Sequence, residues 1–78
     1  MENLQHTRRI NLHGLLYELA NEGIHGLDAQ AAFFVTRAVV LKGMLEQDFI
    51  TGPFARNVEW TMQRRGGWLD DDHDEDPF

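Results

Sequence analysis

From Leu12 the apolar positions fall at steps of three and four. Leu12, Leu15, Leu16 and Leu19 share one face at the helical period, and the residues between them are mostly polar. The spacing predicts an amphipathic helix over Asn11 to Glu22, with Asn11 as its cap. Gly23 can take the left-handed conformation that closes a helix, and Ile24 can fold back onto the last turn. After the short loop Gly23 to Leu27 comes the longest apolar stretch, Asp28 to Ile50, with Asp28 placed to cap its first turn. Ala31, Phe34, Ala38, Leu41, Leu45 and Phe49 form one stripe on it. Ala32, Val35 and Val39 form a second, and Phe33, Val40 and Met44 a third. One helix that is apolar on so many sides must be covered on several of them. A homodimer is therefore expected, with Phe33, Val40 and Met44 near its two-fold axis.

Pro53 cannot continue the central helix but suits the first turn of the next one. A third helix is expected over Pro53 to Arg65, with Phe54, Ala55, Val58 and Met62 facing inward and Arg56, Trp60 and Arg64 on another face. Gly66-Gly67 is expected to end it, and Trp68 with Leu69 to hook back as a lid over the core. Residues 1 to 10 are mostly polar, and their pattern does not choose between a helix and a flexible arm. The expected fold class is all-α: a small three-helix domain, made of an antiparallel helical hairpin plus a third helix, over residues 1–69. An acidic C-terminal tail over residues 70–78 is too charged and too poor in apolar groups to fold by itself.

Charge sharpens this division. All seven basic residues lie before residue 70, where seven acids balance them, so the net charge of −6 comes from Asp70, Asp71, Asp72, Asp74, Glu75 and Asp76. Such a row can keep a small domain in solution, or it can dock on a basic patch of a nucleic-acid-binding protein. The terminal Pro77-Phe78 adds an aromatic group that could plug a pocket while the acids steer the approach. Guanidinium groups one turn either side of Trp60 could stack on it, and Trp and Arg are the residue types most enriched at binding hot spots. The candidate partner-binding residues are therefore Arg56, Trp60, Arg64, Trp68, the six tail acids and Phe78.

Chemistry is harder to find. No nucleophile motif, phosphate-cradling glycine loop or metal-spaced His pair is present, and His6, His13, His25 and His73 are scattered. Flexible carboxylates around His73 lack the fixed oxygen cage of a calcium loop. No enzyme activity, cofactor or metal is expected. The absence of cysteine excludes disulfides and thiolate metal sites. No signal peptide is visible at the N-terminus, and Thr36, Arg37 and Lys42 interrupt the central apolar run, so a soluble, cytoplasmic protein is expected. Helix, turn and helix across Ile50 to Phe54 could suggest a DNA reader with Arg56, Asn57 and Gln63 at base edges, but a neutral body followed by six acids would be repelled by a duplex.

No family signature is recognisable in these residues. Small, cysteine-free, acidic helical chains are frequent among the accessory and inhibitor proteins of phages and plasmids, an analogy of size and composition. The expected function is non-enzymatic binding of another protein that presents a basic surface. A DNA-binding regulator, or a structural or assembly subunit whose tail only confers solubility, are the alternatives.

Overall fold

The first helix starts at Leu4, well before Asn11. Asn3 caps it, its side-chain oxygen accepting from the amide of His6 at 3.0 Å, so residues 4 to 10 belong to α1 (Leu4–Asn21). The computed structural model describes residues 3–73. Among them it is all-α. After α1 come α2 (Leu27–Phe33), α3 (Ala38–Glu46) and α4 (Gly52–Thr61), then a 3₁₀ turn at Trp68–Asp70. Asn11 is not a cap but a buried side chain in mid-helix. Its amide donates to the carbonyls of Leu69 at 2.8 Å and Asp71 at 2.7 Å, which fastens the C-terminal turn to α1.

α1 closes as the sequence predicts. Gly23 has a φ of 102°. Its amide bonds to Ala20, that of Ile24 bonds to Leu19, and Ile24 packs on the core. α2 is capped by Gly26 rather than by Asp28, which sits within the first turn, where its charge still meets the positive end of the helix dipole.

The single central helix expected from Asp28 to Ile50 is two helices, broken over residues 34–37. α2 ends with the amides of Val35 and Thr36 turned back onto Ala32 and Ala31, and Val35 occupies the left-handed position with a φ of 57°. The break lets Ala31 and Phe34 enter the core from α2 while Leu41 and Met44 enter it from α3. The Phe34 carbonyl is thereby separated from the amide that would follow it in a continuous helix, and the Asn57 side chain donates to it instead at 3.0 Å. A β-branched residue in this conformation is strained by about 1–2 kcal/mol, and Val35 is 89% exposed, so it gains little from burial. Val35→Gly is therefore expected to stabilise the fold by about 1 kcal/mol. A lower melting temperature for the variant would show that the break is not where the strain lies.

Polar side chains of α1 bind the far end of α3. Arg9 donates to the carbonyls of Met44 at 2.8 Å and Asp48 at 2.7 Å, and a ring nitrogen of His13 donates to that of Leu45 at 3.1 Å. These partners satisfy carbonyls that a helix end leaves open. Gln5 pairs with both backbone groups of Ile50, accepting from its amide at 2.6 Å and donating to its carbonyl at 3.0 Å. Thr51 caps α4, and Pro53 lies in its first turn as expected. α4 stops at Thr61 rather than at Gly66-Gly67. Gln63 takes the left-handed position there with a φ of 60°, and the Arg64 amide reaches back to Glu59 at 2.7 Å. Leu12, Leu15, Leu19, Phe34, Leu41, Ile50, Val58 and Leu69 meet in one fully buried core. No helix among the described residues is long and apolar enough to cross a membrane.

Candidate partner-binding surfaces

Glu59 is 1% exposed on α4, and its position decides what the arginines beside it can do. Its two oxygens accept from the Gly67 amide at 3.0 Å, from the Leu69 amide at 2.7 Å and from both ends of the Arg56 guanidinium at 2.8 and 3.0 Å. Arg56 also reaches Asp70 at 3.0 Å, and Arg8 grips that carboxylate with two nitrogens at 2.7 and 3.3 Å while donating to the Ile50 carbonyl at 2.7 Å. The Arg8 guanidinium, and to a lesser degree that of Arg56, holds the Asp70 carboxyl below the usual carboxylate range. Asp70 in turn raises the Arg56 guanidinium, with Glu59 adding to the effect. No buried side-chain nitrogen or oxygen among the described residues lacks a partner, so this charged cluster is fully satisfied.

The acidic run therefore does not leave the body at Asp70. Asp70 belongs to the 3₁₀ turn and is paired with two arginines, and Asp71 pairs with Arg65 while its carbonyl accepts from Asn11. Asp72 borders a small recess with His6 and Asn11. Asp74, Glu75, Asp76 and Phe78 lie outside the described residues.

Of the other expected partner-binding residues, Arg64 lies over Trp68 rather than stacking on Trp60. It donates to Glu18 at 2.7 Å and to the Met62 carbonyl at 3.0 Å, and lies 5.2 Å from the centre of the Trp68 ring. The stacked indole is thus Trp68, which also meets the His73 ring at 4.2 Å and packs against the core as the expected lid. Trp60 is left 83% exposed. It borders a shallow depression with Thr61, Gln63 and Arg64, and the last three also line an adjoining cleft with Glu18, Glu22 and Phe33.

Of the three residues expected at a dimer axis, Val40 and Met44 share one groove on α3, and Phe33 lies apart from them. Phe33 edges onto Phe34 and faces the cleft of Glu18, Glu22 and Arg64, Met44 is buried in the core of its own chain with an edge on α3's groove, and Val40 is half-covered on that same groove. The break over residues 34–37 separates Phe33 from the other two, because residues on either side of it no longer share one helical phase. The groove is apolar, about 470 Å³, lined by Val39, Phe49 and Phe54 beside Val40 and Met44, and bordered by Asp48. Val39 is 70% and Phe49 68% exposed there.

Sequence reading alone missed Arg8, Arg9, Gln5, Asn11 and Glu59 as the residues that hold these surfaces in place. Only Arg56 and Glu59, three apart on one helix, carried a local sign of their pairing. No group of His, Asp or Glu among the described residues is arranged to hold a metal ion. No protein-family model, curated protein or solved structure matches the chain.

Proposed function

We propose that this chain is a non-enzymatic accessory or inhibitor protein of the cytoplasm, of the kind phages and plasmids encode, which works as a homodimer and binds another protein through that partner's basic surface. The observation that carries the reading is the exposed indole of Trp60 beside the cleft of Glu18, Glu22 and Phe33. A large aromatic left to solvent beside charged groups, here Glu22 and the Arg64–Glu18 pair, is the pattern of an anchor with a charged rim. Asp74, Glu75 and Asp76 extend the negative charge in sequence and would steer a basic partner toward the domain.

Occupied arginines weigh against duplex binding. Arg8, Arg9, Arg56, Arg64 and Arg65 all donate to carboxylates or carbonyls of this chain, which leaves Arg37 and Lys42 of the seven basic residues for phosphates. Asn57, expected at a base edge, is spent on the Phe34 carbonyl.

Association and dissociation rates against a partner captured from the source cells test the proposal. Trp60→Ala should speed dissociation by about thirtyfold, the loss of a hot spot of ~2 kcal/mol, with little change in salt dependence. Deleting Asp74 to Phe78 should slow association, and the wild-type rate should fall as salt is raised. The cut belongs after His73, because removing Asp70 would strip Arg8 and Arg56 of their shared partner. If neither change alters binding, the charge serves solubility alone and the structural-subunit reading takes over.

A further inference from the structure

We infer that the α3 groove is the homodimer interface, formed by a second copy whose α3 runs antiparallel across it, with Arg37 of each chain paired to Asp48 of the other. This rests on the homodimer in the proposed function and adds its geometry.

Arg37 and Asp48 lie at opposite ends of α3, both exposed, and the Arg9 guanidinium beside Asp48 is held on main-chain carbonyls. Between them α3 shows Val39 and Val40 to solvent beside Phe49. Gly43 fixes where the acid lies. A Cβ at position 43 would overlap the Asp48 carboxylate, so the missing side chain seats that carboxylate directly on α3, next to the groove. A negative charge is thereby fixed at the border of an apolar surface, where a cation is the complementary occupant.

The same chain supplies that cation at the matching distance. Arg37 and Gly43 are about 9 Å apart along the helix at 1.5 Å per residue, and Val40 is midway. A two-fold axis at Val40 brings position 37 of one antiparallel helix opposite position 43 of the other, and so brings Arg37 to the carboxylate resting on Gly43. Symmetry repeats the pair on the other side, which satisfies both charges in both chains and covers Val39 and Val40. A partner of any other kind would have to bring its own cation for Asp48 and its own anion for Arg37.

Charge reversal with sedimentation equilibrium at micromolar concentration tests this. Wild type should sediment at twice the 9.0 kDa chain mass. Arg37→Asp and Asp48→Arg should each weaken the dimer on the order of tenfold or more, since each sets like charges together twice. An equimolar mixture of the two variants should recover wild-type affinity, because a mixed dimer restores both pairs. Recovery on mixing cannot come from misfolded chains, and helical circular dichroism of each variant alone checks that they fold. A wild-type dimer that the reversals do not weaken, or that mixing does not restore, overturns the antiparallel pairing while leaving the homodimer in place. A wild-type monomer overturns both and leaves the groove to another protein.

Discussion

Glu59→Ala is expected to destabilise the fold by about 3–5 kcal/mol, much of the roughly 5–15 kcal/mol that holds a small domain together. Several losses combine in this one change. The Gly67 and Leu69 amides lose their acceptor, and the latter lies in a buried turn. Arg56 keeps Asp70 but loses its closer partner, and the turn that carries Leu69 into the core loses its tie to α4. Arg56 is half exposed and can turn to water, but removing a buried acceptor costs more than its bonds contribute, because the Leu69 amide left behind stays out of water. Urea titration of wild type and variant gives the difference. A loss below about 1 kcal/mol would mean that the C-terminal turn is held by Leu69 packing alone.

Leu41→Ala is the second large effect. Leu41 is fully buried between α3 and the rest of the core, and shortening it removes apolar contact and leaves a cavity, at a cost of about 2–5 kcal/mol. Gln47→Ala is the control. Gln47 is exposed just past the end of α3, so its replacement should be nearly neutral. Equal melting temperatures for the two variants would contradict the placement of the core.

The apolar periodicity made the core legible. Leu12, Leu15, Leu16 and Leu19 are buried on one face of α1, and Ala31, Phe34, Leu41 and Val58 are buried where the stripes put them. Gly23 and Pro53 marked their turns because each has a backbone property that few residues share. The break inside the central helix was hidden for the opposite reason. Val35 is neither Gly nor Asn, and Phe34, Ala38 and Leu41 keep helical spacing straight through it, although tertiary packing takes the chain out of the helix there. The N-terminal decade was equally opaque. Gln5, Arg8 and Arg9 act on partners 35 to 62 residues away, and no local pattern reports a hydrogen bond across the domain. The same holds for the candidate surfaces. Trp60 was visible as a hot-spot residue, but which indole the arginine would cover depended on where Glu18 and Trp68 come to lie.

The central functional claim is that Trp60 is the anchor for another protein and Trp68 is part of the fold. Oxidative footprinting of the two indoles, in the free protein and in its complex with the captured partner, tests it most directly. Trp60 should be strongly oxidised when free and protected in the complex, while Trp68 should be modified slowly in both. Trp60 oxidised equally with and without the partner would contradict the account.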